Sequence, residues 1–181
     1  DSRPANSDEL ARMVELLETE MRQGAMGLGS ALIYVPGMYF STHELQVLAE
    51  TAFRFGGAYI SHIRSEGNQF EQALEEFLTI SRSGKGILYH FKLQGERNWP
   101  KLSWGLERIK QAQSSGSQVF ACAYPYIAGM TSLSSVLPPW AREGGRDRIL
   151  KTISDPAVHD RLVVEMDADQ DEWENLYVLA G

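Results

Sequence analysis

The chain has 181 residues, of which 43% are hydrophobic and 23% charged, with a formal net charge of −7. This length is enough for a domain with its own core, and the composition is typical of a globular protein rather than a disordered or fibrous one. The acidic balance, without any basic stripe, argues against a nucleic-acid partner, because phosphates are bound by clustered lysines and arginines.

The first predicted element is an amphipathic helix. Its apolar side chains recur at spacings of three and four, which places them on one face: Leu10, Met13, Val14, Leu17 and Met21. Asn6 or Ser7 can cap its start, and Gly24 suits its end. A second helix is predicted after Ser41, because Glu44 lies three residues later and completes a capping box.

Four short apolar segments predict strands at residues 28–35, 58–63, 86–91 and 118–123. Helical patterns separate them, and strands that alternate with helices are typical of parallel sheets with right-handed crossovers. Two architectures fit, a doubly wound open sheet and a (β/α)8 barrel. No glycine-rich phosphate loop follows any strand, which weakens the nucleotide-binding form of the open sheet. Since a barrel has eight strands, this α/β chain, if it is a barrel, is a partial TIM-like barrel of about four strand–helix units.

After residue 126 the alternation stops. Residues 127–140 predict a long loop, which helices at 141–154 and 156–166, an acidic turn and an apolar end at 176–180 follow. We therefore divide the chain into a partial barrel at 1–126 and an excursion of loop and helices at 127–181, before the next barrel strand.

Two histidines occupy equivalent places at consecutive strand ends. His62 closes the second predicted strand and His90 lies near the end of the third. The carboxyl ends of parallel strands form one face, and neighbouring strands are about 4.8 Å apart, so two imidazoles there can share a metal ion. A histidine at a strand end is also commonly a hydrogen-bonding or packing residue, and the pattern alone leaves both interpretations open.

Other polar residues follow the same strand ends or lie elsewhere. Arg64, Glu66, Lys92, Arg97 and Tyr124 would surround the same mouth. The remaining two histidines, His43 and His159, are predicted on helix surfaces, and Cys122, the single cysteine, is predicted as a core thiol. The acidic run at 165–174 is predicted as a solvated face.

Several blocks are more specific than this periodicity. They are Gly24 to Gly37 (with GAMGL and LIYVPG), Ser61 to Gly67 (SHIRSEG), His90 to Lys92 (HFK), Arg97 to Trp99 (RNW) and Ala123 to Gly129 (AYPYIAG). In content, order and approximate spacing, they resemble the N-acyl-D-amino-acid deacylases (D-aminoacylases) of the amidohydrolase superfamily. The resemblance extends over essentially the whole chain.

The resemblance implies a zinc-dependent hydrolase that cleaves a small-molecule N-acyl-D-amino acid into a carboxylate and a D-amino acid. His62 and His90 fall on the family's metal-binding histidines. Lys92 and Tyr124 fall on residues that hold the substrate, the lysine beside its carboxylate, and Arg64 and Glu66 are expected around it too. The catalytic aspartate of the last barrel strand is expected outside this chain, so the chain alone is expected to be inactive.

The sequence also departs from the family pattern. The His-x-His pair of the first barrel strand is absent, Cys122 does not match the family's cysteine ligand, and Met130 stands where the family often has serine. One alternative is a non-catalytic half-barrel that binds a ligand or self-associates through its open edges. Another is an amidohydrolase of cyclic amides or ureas, although Lys92 and the AYPYIAG block favour an acyl amino acid.

Membrane and export signals are not visible in the sequence. No apolar run approaches the roughly 20 residues needed to span a bilayer. No charged-then-apolar leader is visible either, so neither a membrane partner nor a signal peptide is expected. A cytoplasmic location is the resulting expectation.

Overall fold

The computed structural model describes residues 3–169 and 176–178, and its centre is a four-stranded parallel sheet. Strands β1 (Gly27–Ala31), β2 (Ala58–His62), β3 (Lys85–Leu88) and β4 (Gln118–Ala121) lie side by side in chain order. Helices α1 (Ser7–Arg22), α2 (Thr42–Arg54), α3 (Phe70–Ile80) and α4 (Lys101–Ser114) alternate with them. The described residues divide into two compact units, one of residues 3–125 and a second that begins at residue 126.

Local sequence signals explain where the first two helices begin. Asn6 caps α1 and Ser41 caps α2, each in a reciprocal capping box with the glutamate three residues later. Glu44 is buried and also accepts a hydrogen bond from the backbone N–H of Ala5 at 2.6 Å. The first turn of α2 therefore ties down the segment that precedes α1.

The strand order distinguishes the two architectures that fitted the sequence. A doubly wound sheet reverses its order at a switch point, which places helices on both faces. Here the order β1-β2-β3-β4 never reverses, so right-handed crossovers put every connecting helix on the same face. This is the arrangement of a (β/α)8 barrel wall, and the prediction of a partial TIM-like barrel is confirmed.

The hydrophobic core lies between the sheet and its helices. Its largest fully buried apolar side chains are Tyr59, Phe70, Phe77, Leu45, Leu74, Ile80, Leu88 and Val119. The opposite face of the sheet would line the interior of a barrel. There Ile60 and Ile87 are only partly buried and Phe120 is 51% exposed.

The strands end earlier than the apolar runs predicted, and one residue lies on the other side of the sheet. Strand β1 ends at Ala31, because the chain turns after it into a short 3₁₀ helix at Gly37–Tyr39. Cys122 was predicted in the core, and this prediction is wrong: its side chain is exposed. It follows Ala121 of β4 and alternates onto the helix-free face, where the described residues do not cover it.

The second unit contains helices α5 (Gly145–Ile153) and α6 (Pro156–Asp169). The single helix predicted at 141–154 is interrupted, because Gly144 and Gly145, the cap and first residue of α5, adopt positive φ after the 3₁₀ helix at Pro139–Arg142. Trp140 Nε1 donates to Glu165 at 2.7 Å, and the Arg161 guanidinium lies 4.2 Å from the Trp140 ring centre. Half of the predicted acidic run (170–174) and part of the apolar end (179–180) lie outside the described residues.

His43 and His159 are both exposed, as predicted. Within residues 3–169 and 176–178, no helix is both long enough and apolar enough to cross a lipid bilayer.

Candidate metal centre

Arg64 fixes the loop that leaves the carboxyl end of β2. Its guanidinium donates two hydrogen bonds of 2.9 Å to the carboxylate of Glu76 on α3. It also donates to the backbone carbonyls of Met38 and Phe40, at 2.7 and 2.9 Å. Thr42, in the first turn of α2, donates to the same Glu76 carboxylate. Arg64 therefore clamps the loop after β1, the start of α2 and the body of α3 around the end of β2.

The two residues after Arg64 turn the chain back over the strand end. The Ser65 hydroxyl accepts hydrogen bonds from the backbone N–H groups of Gly67 and Gln69, which forms a tight turn before α3. The carbonyl of Glu66 accepts from the N–H of Gln94, at 2.8 Å, so the loop after β3 is held against this turn. As a result, the Glu66 side chain is directed into the space between the two strand ends.

His62 is the last residue of β2 and is only 8% exposed. Its Nε2 atom is buried and has no hydrogen-bond partner among the described residues. Burial, together with the neighbouring His90 and Lys92, lowers the pKa of His62 to about 3. The ring is therefore neutral near pH 7, which is the protonation state in which imidazole binds a metal.

His90 reaches the same place through an irregularity of β3. The N–H of Cys122 donates to the carbonyl of Leu88, and the next bond of the ladder comes from Phe91 to the carbonyl of Cys122. A regular parallel ladder would use residue 90 for that bond, so β3 carries one extra residue, as in a β-bulge. His90 itself has φ of 40°, a left-handed conformation that is uncommon for residues other than glycine.

The bulge brings the two imidazoles together. His62 Nδ1 and His90 Nε2 are 2.7 Å apart and the ring centres are 4.4 Å apart. Because metal–nitrogen bonds to zinc are about 2.1 Å long, two nitrogens this close lie within reach of one ion. Together with Glu66 they form a group whose ligand atoms all lie within 4.8 Å of one another. Two imidazoles whose nitrogens converge, one of them held neutral by its burial, suit a transition-metal ion.

Glu66 joins this pair to a lysine. The Lys92 ammonium lies 2.7 Å from Glu66 Oε1 and 2.6 Å from Oε2, and 3.0 Å from His90 Nδ1. Burial raises the pKa of Glu66, while the hydrogen bond and charge of Lys92 act in the opposite direction. The Lys92 ammonium also lies 5.7 Å from the centre of the Tyr124 ring, which in turn lies 6.3 Å from the His90 ring.

The structure brings five of the seven residues predicted at this mouth to one place. The other two are Arg64 and Arg97, and Arg97 is exposed in the 3₁₀ helix at Glu96–Asn98. His62, His90, Glu66, Lys92 and Tyr124 cluster beyond the carboxyl ends of β2, β3 and β4. Arg64 instead contacts Glu76 and the loop carbonyls. Sequence reasoning did not select Tyr34, whose ring centre lies 6.0 Å from that of His62, although it belongs to the LIYVPG block.

The buried His62 predicts acid sensitivity of the metal-free protein. In the unfolded chain its pKa is about 6.5, whereas the folded value is about 3, so between these values the unfolded state binds more protons. The free energy of unfolding should therefore fall as the pH is lowered from 7 to 4, by about 3 kcal/mol from this residue. Urea denaturation of the chelator-treated protein at both pH values measures the effect.

Matched variants isolate the contribution of His62. His62→Gln should lose clearly less stability between pH 7 and pH 4 than the wild-type protein. His159→Gln, which removes an exposed histidine, should behave like the wild type. An equal loss in His62→Gln and the wild type would contradict the assignment.

Comparison with known proteins identifies relatives over most of the chain, although no protein-family model matches it. D-aminoacylase of Alcaligenes xylosoxydans xylosoxydans is 33% identical over 133 residues, which cover 72% of this chain and 27% of that protein. N-acyl-D-glutamate deacylase of the same organism is 33% identical over 130 residues, covering 71% and 27%.

Solved structures give the same result. A D-aminoacylase crystal structure, described as defining a novel subset of amidohydrolases, has a TM-score of 0.67 at 32% identity and covers 70% of this chain and 27% of its own. N-acyl-D-glutamate deacylase from Bordetella bronchiseptica, complexed with zinc and a phosphonate inhibitor, has a TM-score of 0.67 at 31% identity with the same coverage. The chain thus spans about 27% of the length of these relatives. Over the part that it shares with them, this chain belongs to the D-aminoacylase family of amidohydrolases.

Proposed function

We propose that the complete polypeptide containing this chain is a zinc-dependent hydrolase that cleaves the amide bond of N-acyl-D-amino acids. The observation that carries the proposal is the convergence of His62 Nδ1 and His90 Nε2 to 2.7 Å at the carboxyl ends of β2 and β3. Active sites of (β/α)8 barrels are built at this end of the strands. The relatives named D-aminoacylase and N-acyl-D-glutamate deacylase supply the substrate class.

His62 and His90 are the residues that would hold the zinc. When bound, zinc lowers the pKa of a water ligand and polarises a carbonyl oxygen. His62 is suited to this task because its low pKa keeps the ring neutral. A catalytic site usually has three protein ligands, so the family's further ligands and its aspartate would come from outside these residues.

Lys92 and Tyr124 would bind the substrate beside this centre. The ammonium of Lys92 can pair with the substrate carboxylate, and the Tyr124 ring, 5.7 Å away, would form the adjoining wall. Arg64 and Glu66 were predicted around the substrate as well. In this proposal Arg64 acts through the loops that it clamps, since its donors are directed to Glu76, Met38 and Phe40.

The remaining expectations are part of the same proposal. Residues 1–126 would be barrel wall and residues 127–181 an excursion from it. The half-exposed Phe120, on the helix-free face of the sheet, favours either further barrel segments or self-association as its cover. A cytoplasmic location and a small-molecule substrate complete the proposed assignment.

Hydrolysis by the complete polypeptide tests the proposal. With zinc present, it should release the free amino acid from N-acetyl-D-methionine or N-acetyl-D-glutamate, and a chelator should abolish turnover because the water-activating ion is lost. The 181-residue chain alone should release none, since two histidines leave zinc short of its usual three protein ligands.

Two control substrates separate the proposal from its rivals. The L-enantiomers should be poor substrates, whereas a cyclic amide such as dihydrouracil should not be opened. Turnover of the cyclic amide without any turnover of the acyl amino acids would favour the alternative amidohydrolase reaction. A complete polypeptide that binds no zinc and hydrolyses none of these compounds would instead be a binding or association module.

A further inference from the structure

The carboxylate of Glu66 lies within 4 Å of both histidines and of the lysine of the site. Glu66 is 8% exposed, and its two oxygens lie 2.7 and 2.6 Å from the Lys92 ammonium. Its Oε1 also lies 3.0 Å from His90 Nδ1 and 3.8 Å from His62 Nε2. A carboxylate buried this deeply needs partners to offset its lost hydration, and here its partners are these site residues.

The ring nitrogens nearest to Glu66 show on which side of the histidine pair its carboxylate lies. The two imidazoles face each other through His62 Nδ1 and His90 Nε2. Glu66 Oε1 is directed to the other nitrogen of each ring, Nδ1 of His90 and Nε2 of His62. The carboxylate therefore lies behind the pair, on the side away from the point where the nitrogens converge.

This placement gives Glu66 a role in the tautomer that His90 adopts when a metal is bound. The 2.7 Å contact between the rings requires a hydrogen on one of the two facing nitrogens. If an ion takes its place, His90 Nε2 must offer a lone pair and the hydrogen must be on Nδ1, where Glu66 accepts it. Carboxylates that accept from the outer N–H of a ligating histidine fix its tautomer and ring orientation.

We infer that Glu66 is a positioning residue that couples the metal ligands to the substrate-binding lysine, and that it is neither a substrate contact nor a metal ligand itself. The inference rests on the proposed function and deepens it. The Glu66 carboxylate holds both His90, which would bind the metal, and Lys92, which would bind the carboxylate of the substrate. One side chain therefore sets the distance between the metal and the Lys92 ammonium. A displaced Glu66 would loosen both at once.

The test uses Glu66→Gln, which keeps the size of the side chain and removes its charge. Zinc affinity is measured on the complete polypeptide by competition with a fluorescent chelator, without any turnover. We expect the zinc dissociation constant to rise by about 10- to 100-fold. At saturating zinc, KM for N-acetyl-D-methionine should rise by roughly tenfold while kcat changes less, because Lys92 loses its anchor. Glu66→Asp should recover part of both losses.

Glu44→Gln is the matched control, since Glu44 is a buried carboxylate too but caps α2 away from the two rings. It should lower the melting temperature and leave the zinc dissociation constant and KM unchanged. Wild-type zinc affinity and KM in Glu66→Gln would overturn the inference. Loss of zinc with an unchanged KM at saturating zinc would overturn it as well, because it would make Glu66 a ligand only. If the wild-type polypeptide itself binds no zinc, the proposed function fails instead.

Discussion

Replacing His90 with alanine is expected to remove the bound zinc and nearly all hydrolysis by the complete polypeptide. His90 Nε2 is one of the two converging nitrogens, and none of the residues described around it offers an equivalent donor in the same position. A bound zinc ion lowers the pKa of water from 15.7 to about 7, which raises its acid dissociation constant by roughly 10⁹-fold. Because this activation is lost with the ion, kcat should fall by several orders of magnitude. Metal analysis and steady-state kinetics on the purified variant measure both losses.

The left-handed backbone at His90 calls for a second variant. Alanine at φ of 40° retains the strain of the bulge, whereas asparagine tolerates this conformation better. His90→Asn should therefore remain folded and still lack zinc and activity. His43→Ala, at an exposed histidine on α2, should keep both. Full zinc occupancy and full rate in His90→Asn would exclude His90 as a ligand.

Replacing Lys92 with alanine should mainly raise KM. An ammonium beside the substrate carboxylate contributes a charge-assisted contact of about 1.5–3 kcal/mol, which corresponds to roughly a 10- to 150-fold change in binding. The zinc content should stay near that of the wild type, because Lys92 contacts the ligand His90 only through its outer nitrogen. Initial rates over a range of N-acetyl-D-methionine concentrations, together with metal analysis, separate the two effects.

Loss of Lys92 also leaves Glu66 buried without its cation, so stability must be separated from binding. The double variant Glu66→Gln/Lys92→Met removes both charges of the pair, and it should unfold at a higher temperature than Lys92→Ala while KM stays high. Lys110→Ala, at an exposed lysine of α4, is the neutral control. If Lys92→Ala lost its zinc and kept its KM, the assigned roles of Lys92 and His90 would have to be abandoned.

Convergence of the two histidines could not be derived from strand alternation. In the register of the sheet, Gly86 and Leu88 pair with Tyr59 and Ser61, all of them on the helix-covered face. A regular β3 would continue this alternation and direct His90 toward the helices, opposite to His62. The extra residue before Phe91 and the positive φ of His90 reverse its direction. A bulge depends on hydrogen bonds between strands, which a single strand's sequence does not specify.

Position in the chain also could not predict the different roles of Arg64 and Glu66. Both follow the end of β2 by a few residues, and both were predicted to surround the substrate. The side chains separate because Ser65 turns the chain between them, so Arg64 reaches Glu76 on α3 and Glu66 faces the histidines. Which of two neighbouring polar residues enters a site depends on the turn and on the partners that the rest of the fold supplies.

The sequence by itself determined the features that depend on neighbours along the chain. Helical periodicity and the capping boxes at Asn6 and Ser41 placed α1 and α2, and the alternation of apolar segments predicted parallel strands. The tertiary structure alone decided what depends on contacts across the sheet. The strand order shows a barrel wall and not a doubly wound sheet. The pairing of the strands also leaves Cys122 exposed on the helix-free face, and a bulge directs His90 to that face. Strand order, face and bulge arise from pairing between distant segments, so no local pattern encodes them.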